Sequence, residues 1–306
     1  MLVRLLGTAA GGGFPQWNCN CGNCQGVRAR TIQARARAQS CVALSSDRRR
    51  WFLLNASPDL RVQLESSPSL WPPQHVTRGT AVEAVLLTDA DLDHTLGLLL
   101  LREGGDRTIY ATASVRNALS TGLTLADTLS AYCRVTWREP ARELAPLMYA
   151  DGSASGLRYM AIALSGKPPR YVRERVAAQA DDEVGYRFID ERTGGCLLFL
   201  PGVVALDEAL KAHISNCDAL LLDGTFWSEH EMQEMGVGTT SAAQMGHLPV
   251  GGADGSLRQI AALSVPRVIY THINNTNPML REDGPEHAAV RATGAEVGWD
   301  GLTLDL

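Results

Sequence analysis

The sequence predicts an α/β protein made of layered strands and helices. Short apolar segments recur along the 306 residues, and each ends in a polar or glycine-rich turn. Helical candidates lie between many of these segments, which is the alternation typical of α/β proteins. The hydrophobic content of 45% and the charged content of 20% are those of a globular chain with a sizeable core. No repeat or long linker interrupts the pattern, so we expect residues 1–306 to form one domain.

The elements follow from the apolar runs and the turns between them. The predicted strands are residues 2–6, 51–54, 82–87, 108–111, 196–200, 219–222 and 268–271. The predicted helices are residues 93–102, 114–123, 206–215 and 256–263. Residues 165–170 and 181–183, which are rich in proline or acidic side chains, are predicted to be exposed loops.

Charge and composition exclude several classes of partner. A net charge of −5 and a pI near 5.8 argue against nucleic-acid backbones and anionic membranes. No apolar run approaches the length needed to cross a bilayer, and Arg4 interrupts the first one, which we interpret as a strand rather than a signal peptide. Seven cysteines, three of them close together, favour a reducing compartment, and the cytoplasm is the expected location.

Residues 88–94, TDADLDH, crowd three carboxylates and an imidazole into one turn. They follow the predicted strand at residues 82–87, and ligands of α/β proteins bind at the carboxyl ends of such strands. Asp89, Asp91, Asp93 and His94 repel or perturb one another unless a cation holds them or some stay protonated. The turn therefore predicts a metal site.

Two other interpretations of the acidic turn explain less. An EF-hand loop needs Gly at its sixth position and Glu at its twelfth, where this chain has His94 and Leu100. An N-cap function for the helix that follows would account for one aspartate but not for three.

Two more strands end in residues able to bind or support a metal. Asp223 follows the strand at residues 219–222, and His272 follows the strand at residues 268–271. Strand ends that meet at one sheet edge can assemble a metal centre from residues distant in sequence.

Cys19, Cys21 and Cys24 have the spacing of thiolate ligands, and Gly22 permits a tight backbone between them. Three thiolates and one further donor would form a closed structural zinc site. A redox Cys-x-x-Cys pair is the alternative, but no helix of the thioredoxin kind is predicted beside it. The remaining cysteines, at positions 41, 133, 196 and 217, are predicted to be buried and inert.

Several sequence blocks resemble two related families. The acidic turn is similar to the His-x-His-x-Asp-His signature of the metallo-β-lactamase superfamily, with Asp89 and Asp91 in place of the leading histidines. The whole chain resembles the coenzyme PQQ synthesis protein B family. The matching blocks are LGTAAGGGFPQWNC at 6–19, LLNASPDL at 53–60, TDADLDHTLG at 88–97, DGTFW at 223–227, MGHLP at 245–249 and THINNTNP at 271–278.

The resemblance implies a fold and a role. The fold is a metallo-β-lactamase-like αββα four-layer sandwich. The role is in making pyrroloquinoline quinone (PQQ) from a Glu–Tyr precursor alongside other proteins of that pathway, through metal-dependent oxygenation of the tyrosine ring. Export of the finished quinone, with the protein as a quinone carrier, is an alternative role. Neither a nucleic acid nor a membrane is an expected partner, and the choice between monomer and homodimer stays open.

Other functional residues come from the superfamily comparison. His247 corresponds to a proton-donating histidine of superfamily nucleases, and Asp223 is expected to support catalysis by hydrogen bonding rather than by binding metal. Hydrolases with the same cysteine cluster supply a fourth zinc ligand three residues after the terminal histidine, where this chain has Asn275, a weak donor.

The chain also departs from the hydrolase pattern. The sequence Leu200-Pro201-Gly202 replaces the Gly-Asp-Thr whose aspartate bridges two zinc ions, and residues 165–167 lack a histidine found in such enzymes. A divergent metallo-hydrolase is therefore the weaker enzymatic alternative.

The donor set indicates which metal to expect. Carboxylates in place of imidazoles shift the preference from Zn²⁺ towards Fe²⁺, Mn²⁺ or Mg²⁺. His94, His272 and a carboxylate from Asp91 or Asp93 would form the two-histidine, one-carboxylate face of non-haem iron oxygenases. Asp89 would be a further ligand or would orient a histidine by a hydrogen bond. The expected cofactors are Fe²⁺ in the active site, with Mn²⁺, Mg²⁺ or Zn²⁺ as alternatives there, and a structural Zn²⁺.

Overall fold

A computed structural model describes residues 1–164 and 166–306. Its strands, in chain order, are β1 Leu2–Gly7, β2 Cys41–Ser45, β3 Trp51–Leu54, β4 Val82–Leu86, β5 Arg107–Tyr110, β6 Val135–Arg138, β7 Ala145–Met148, β8 Ala154–Ala163, β9 Val184–Asp190, β10 Cys196–Leu200, β11 Ala219–Asp223, β12 Arg267–Thr271, β13 Glu296–Val297 and β14 Thr303–Asp305.

The helices are short. The α-helices are α1 Gly22–Ala29, α2 Leu60–Glu65, α3 Leu92–Thr95, α4 Ala113–Asn117, α5 Leu125–Ser130, α6 Glu208–Ile214, α7 Glu231–Glu234, α8 Ala242–Met245, α9 Ser256–Ala261 and α10 Pro285–Ala292. Segments of 3₁₀-helix occupy Pro68–Leu70, Leu96–Gly104 and Pro278–Leu280, and Ala118–Gly122 forms a π-helical turn. Among the described residues, no helix is long and apolar enough to span a membrane.

The chain divides into two compact units. The first comprises Met1–Leu6, Ser40–Gly195 and Gly301–Leu306, and the second comprises Gly7–Gln39 and Cys196–Asp300. The one-domain organisation expected from the sequence stays a prediction.

The first unit contains a seven-stranded sheet in the order β14-β1-β2-β3-β4-β5-β6. Strands β3 to β6 run parallel, whereas β14 pairs with β1, and β2 with β3, in antiparallel fashion. Strands β2 and β3 are buried at every position, so both faces of this part of the sheet are covered. Trp51, Phe52 and Leu53 are completely buried in this part of the core.

Strands β7, β8 and β9 of the same unit form an antiparallel meander. Buried and partly exposed residues alternate along β8, so this strand has one covered face. The sequence prediction missed β8 and β9 because an alternating strand contains no continuous apolar run.

The second unit has parallel pairing from β10 through β11 and β12 to β13. Strands β10 and β11 are buried throughout. Parallel strands that lie in register place their carboxyl ends at one edge. Asp223 and Thr271 are register partners at that edge, which positions the residues that follow them.

Two predicted helices form with a different geometry. The helix expected at residues 93–102 is α3 followed by 3₁₀-helix, and the one expected at residues 114–123 is α4 followed by a π turn. Gly97 explains the first difference, because a Cβ atom there would lie 2.2 Å from the carbonyl oxygen of Ser57. The helix takes the narrower 3₁₀ geometry where it passes the backbone of residues 56 and 57. Gly97 N donates a hydrogen bond to Ala56 O there (2.9 Å).

The two predicted exposed loops are partly buried. Of residues 165–170, Ser165 lies outside the described residues, and Gly166, Pro168 and Pro169 are buried. Asp182, in the acidic stretch 181–183, is also buried, because its Oδ2 accepts a hydrogen bond from Gln179 N (2.7 Å).

Candidate metal centre

The acidic turn lies at the carboxyl end of β4, and within it Asp89 and His94 form a buried pair. Asp89 Oδ2 lies 2.6 Å from His94 Nδ1, and Asp89 Oδ1 accepts a hydrogen bond from Asp91 N (2.8 Å). An ionised carboxylate only accepts hydrogen bonds, so Nδ1 carries the proton and Nε2 is the atom suited to a metal. The geometry gives Asp89 an orienting role on the opposite side of the ring from that atom.

The other two aspartates differ in position. Asp93 Oδ2 lies 3.9 Å from His94 Nε2, so this carboxylate is on the side of the ring that could face a metal. Asp91 is exposed at the N-cap of α3, where its side chain makes no capping hydrogen bond. The N-cap interpretation of the acidic turn is therefore not supported by the contacts.

The charges in the turn are strongly coupled. Burial alone would lower the pKa of His94, but the carboxylates of Asp89 and Asp93 outweigh it and raise the pKa to about 10. Burial would raise the pKa of Asp89, whereas His94 and the hydroxyl of Thr88 lower it below its usual range. Without a metal, His94 is therefore protonated on both ring nitrogens, and its positive charge offsets the negative charge of the carboxylates.

Neighbouring residues fix the backbone of the turn. Asn55, which has a left-handed φ of 64°, exchanges hydrogen bonds with Thr88 (2.9 Å each), and Thr88 Oγ1 donates to Asp89 Oδ2 (2.6 Å). The hydroxyls of Tyr186 and Tyr171 donate to the carbonyls of Leu87 (2.8 Å) and Ala90 (2.7 Å). The sequence analysis quoted Asn55 only as part of a matching block and missed both tyrosines.

The second unit brings together His272, His247 and Asp223. One potential ligand atom from each of the three lies within 4.8 Å of the others, and the two imidazole rings stack with centroids 5.5 Å apart. The sequence predicted all three residues, with His272 as a metal ligand and the other two as a catalytic pair. His272 is therefore in direct contact with the predicted catalytic pair.

Asp223 is saturated by hydrogen bonds. Its Oδ2 contacts His247 Nδ1 (2.7 Å) and Val203 N (3.0 Å), and its Oδ1 accepts from the amide (2.9 Å) and hydroxyl (2.6 Å) of Thr225. Burial would raise the pKa of Asp223, but His247 lowers it below its usual range. A carboxylate with four donors in place is better suited to orient His247 than to bind a metal.

Thr225 links the two sides of this cluster and was missed by the sequence analysis. Its hydroxyl lies 2.8 Å from His272 Nδ1, in addition to its contact with Asp223. If the hydroxyl of Thr225 donates its hydrogen to the carboxylate of Asp223, then Nδ1 of His272 must carry a proton and donate it to Thr225. In a neutral imidazole, Nε2 of His272 then has the free lone pair. His272 also has a left-handed φ of 56°, a strained conformation that clusters at functional sites. The Asp-Gly-Thr-Phe block was the available signal for Thr225.

The three clustered cysteines lie close together, while the zinc site predicted for them stays a prediction. The sulfur atoms of Cys19, Cys21 and Cys24 lie within 4.8 Å of one another at the start of α1. Tetrahedral zinc with Zn–S bonds of about 2.3 Å would hold thiolates roughly 3.8 Å apart, so the cluster fits this ion. The side-chain nitrogen of Asn275 donates hydrogen bonds to the three sulfurs (3.2, 3.5 and 3.4 Å), so this amide would have to turn and present its Oδ1 to be the fourth ligand.

The other cysteines agree with the prediction except at one position. Cys41, Cys196 and Cys217 are buried, and burial raises the pKa of Cys41 to about 12, which makes this thiol inert. Cys133 is only half-buried, because it follows α5 at the edge of the core.

Comparison with known proteins identifies the fold. Residues 50–273 match the family described as a beta-lactamase superfamily domain. The chain is 43% identical over 307 residues to a coenzyme PQQ synthesis protein B of Azotobacter vinelandii, with all of both chains covered. It is also 43% identical over 305 residues to the protein of that name from Cupriavidus necator, with 99% of each covered.

Solved structures agree with these matches. The crystal structure of Zn²⁺-bound PqqB from Methylobacterium extorquens is 38% identical, covers all of both chains and superposes with a TM-score of 0.90. A diphosphatase of the PhnP family, 18% identical with 99% and 96% coverage, superposes with a TM-score of 0.66 and shares the fold alone. The predicted fold class, a metallo-β-lactamase-like αββα sandwich, is confirmed.

Proposed function

The chain belongs to the coenzyme PQQ synthesis protein B family, and from that premise we propose that it acts in PQQ synthesis as an iron-dependent oxygenase. Its substrate would be the tyrosine ring of a precursor derived from Glu and Tyr, and its location would be the cytoplasm. Other proteins of the pathway would supply the precursor and take up the product.

The orientation of two histidines carries this proposal. His94 and His272 each engage Nδ1 in a short hydrogen bond within their own unit, which suits Nε2 of each ring to a metal. The proposal assigns both rings to one metal, with Asp93 as the carboxylate ligand in preference to the exposed Asp91. Support for a metal comes from the donor chemistry and from the Zn²⁺-bound relative.

The choice of Fe²⁺ follows from the reaction. Zn²⁺ has no redox chemistry, whereas a two-histidine, one-carboxylate face is the donor set of non-haem iron oxygenases. When bound, Fe²⁺ would supply the activation of dioxygen. In the hydroxylation, one oxygen atom enters the ring and the other leaves as water, with two electrons from an external reductant.

His247 has the geometry of a proton carrier. Its Nδ1 is held by Asp223, and its side chain remains 14% exposed, so Nε2 can exchange a proton with a substrate hydroxyl. Asp223 stabilises the protonated ring and keeps it in one tautomer, which is the task of the buried carboxylate in other acid–base pairs.

A two-metal hydrolase has less support. The carboxyl end of β10 is followed by Pro201 and Gly202, which offer no side-chain ligand where a bridging carboxylate would be needed. A quinone carrier would need a binding site and the metal but no turnover, so kinetic measurements separate it from an oxygenase.

The proposal is tested by reconstitution. Anaerobic protein loaded with one Fe²⁺ per active site, mixed with a Glu–Tyr precursor and reductant and then exposed to ¹⁸O₂, should yield a product that has gained labelled oxygen. A His94→Ala variant, with its structural zinc intact, should yield none. Fully iron-loaded protein that binds the precursor without oxygen gain would overturn the oxygenase and leave the carrier.

A further inference from the structure

A surface cavity of about 610 Å³ in the second unit has no part in the proposed reaction. It lies between the segment before β2 and the region of α10 and β13. Its charged and aromatic lining includes Arg35, Arg37, Glu282, His287, Arg291 and Trp299. No residue proposed above as a metal ligand or proton carrier lines it, so an inference about it stands apart from the proposed function.

Arg37 is the unusual residue of this lining. It is only 5% exposed, yet it forms no ion pair with a carboxylate among residues 1–164 and 166–306. One terminal nitrogen donates to Thr8 Oγ1 (3.1 Å) and to the carbonyl of Gly298, while Nε is buried with no hydrogen-bond partner in the described part of the chain. Burial lowers the pKa of this guanidinium to about 10.

The carboxylate of Asp300 is linked to Arg37 only through Thr8. Thr8 Oγ1, which accepts from Arg37, donates to Asp300 Oδ1 (2.7 Å), and Asp300 Oδ2 accepts from Ala38 N (2.6 Å). A buried cation normally has a direct counter-ion, because an unpaired buried charge costs free energy. An unsatisfied buried donor next to a cavity therefore points to a missing anion.

The remaining charges leave the cavity positive. Glu282 is paired with Arg35 (2.7 Å), and Glu296, also in the lining, is paired with Arg267 (2.6 Å). Arg291, on the last turn of α10, has no ion pair within the described ranges. Both lining carboxylates are thus neutralised, whereas two guanidiniums are not.

Two further lining groups can contribute to binding. His287 Nδ1 lies 2.9 Å from the carbonyl of Met279, to which it must donate, and the opposite nitrogen is then an acceptor for a ligand hydroxyl. Trp299 presents an indole ring, over which Arg35 lies at 5.3 Å from the centroid. A ligand with both oxyanion and hydroxyl groups would suit this set.

We propose that this cavity is a binding site for a small anion with carboxylate or phosphate groups, held by Arg37 and Arg291. The guanidinium group of arginine donates two parallel, charge-assisted hydrogen bonds to two oxygens of a carboxylate or a phosphate. The ligand supplies the counter-charge that Arg37 lacks.

Calorimetric titration of the full chain with inorganic phosphate and with citrate at low salt tests the site. We expect saturable binding of at least one probe with one site per chain, and the tighter probe identifies the oxyanion class. Arg291→Gln should lower the affinity for the anion about tenfold, because one charge-assisted hydrogen-bonding partner is lost. Arg258→Gln, an exposed change on α9, should bind like the parent protein.

Arg37→Lys provides a second variant, since it keeps the buried charge but loses the planar fork. With folding checked by circular dichroism, it should also bind more weakly than the parent. The indole resonance of Trp299, assigned through a Trp299→Phe variant, should shift when the anion binds. Absence of binding by both probes, or equal affinity of the Arg291→Gln, Arg258→Gln and parent proteins, would overturn the proposal.

Discussion

Asp89 and His94 are joined by a buried contact of 2.6 Å between Oδ2 and Nδ1. Because a carboxylate accepts the Nδ1 proton, the contact favours Nε2 as the ring nitrogen available to a metal. The aspartate that replaces the first histidine of the superfamily signature is therefore placed to hold a ligand rather than to be one.

Replacing Asp89 by Asn should weaken metal binding. The amide of Asn cannot accept all three hydrogen bonds now made by Asp89, from His94, Thr88 and the Asp91 amide. Loss of such an orienting partner lowers metal affinity by roughly 10–100-fold. Titration with Fe²⁺ under anaerobic conditions measures the effect, and Asp127→Asn on the exposed face of α5 is the control. Unchanged affinity in Asp89→Asn would show that the pair does not support a ligand.

Replacing His247 by Gln should reduce turnover and leave metal affinity unchanged. A positioned proton carrier contributes roughly 10²–10⁴-fold to a rate, so the decrease should fall in this range. Asp223→Asn should show a similar decrease, because it removes the acceptor of the His247 proton. Steady-state rates and iron content of the same preparations are the two measurements. Loss of iron in His247→Gln would instead make His247 a ligand.

Asn275 should determine how firmly the cysteine cluster holds zinc. Its amide nitrogen donates to all three sulfurs, whereas the atom that could bind Zn²⁺ is the amide oxygen, a weaker ligand than an imidazole nitrogen. Asn275→His should therefore retain zinc longer against a chelator, and Asn275→Ala should lose it sooner. Asn274→Ala, which removes the neighbouring amide, serves as a control. If all three variants release zinc at the parent rate, Asn275 is not the fourth ligand.

Glu231 should make stability depend on pH. Burial raises its pKa to about 7, even though Thr276 and the amide of Trp227 donate hydrogen bonds to it. The folded protein therefore keeps a proton that the unfolded chain releases near pH 4.5, so the contribution of Glu231 to stability is fully present below that pH and is lost as the pH rises through about 7. The decrease amounts to roughly 3 kcal/mol at most.

Urea unfolding of the parent protein and of Glu231→Gln at pH 5 and pH 7.5 measures this contribution. The parent should lose more unfolding free energy between the two pH values than Glu231→Gln does. Glu208→Gln, at a side chain that is 91% exposed, should keep the parent's pH dependence. Identical pH dependence in Glu231→Gln and the parent would contradict the assignment.

Continuous apolar runs predicted several buried strands, although the sequence analysis missed β2, which is also buried at every position. Strands β3, β4, β10, β11 and β12 were found because their residues are apolar on both faces. Strand β8 was missed because its alternation of buried and exposed positions depends on tertiary contacts. The 3₁₀ geometry after α3 depends on the passage of Gly97 beside Ser57, a contact 40 residues apart in the chain.

The site was predictable to the extent that its residue types have distinctive chemistry. Histidines, aspartates and clustered cysteines have chemistry that is recognisable in a sequence, and the structure brings His272, His247 and Asp223 together, as it does the three cysteines. Thr225 and Tyr186 have no such signature, since a hydroxyl becomes important only through what it touches. Hydrogen-bond partners that orient ligands are a property of the folded chain.

The backbone of His272 limits how this protein could be re-engineered. A residue with φ of 56° is tolerated when it is His, Asn, Asp or Gly, whereas β-branched and bulky residues are strongly disfavoured there. Combinatorial libraries that aim at a different metal should therefore leave position 272 fixed. Position 93 lies on the short helix α3 and outside the left-handed region, so substitutions there carry no such backbone penalty.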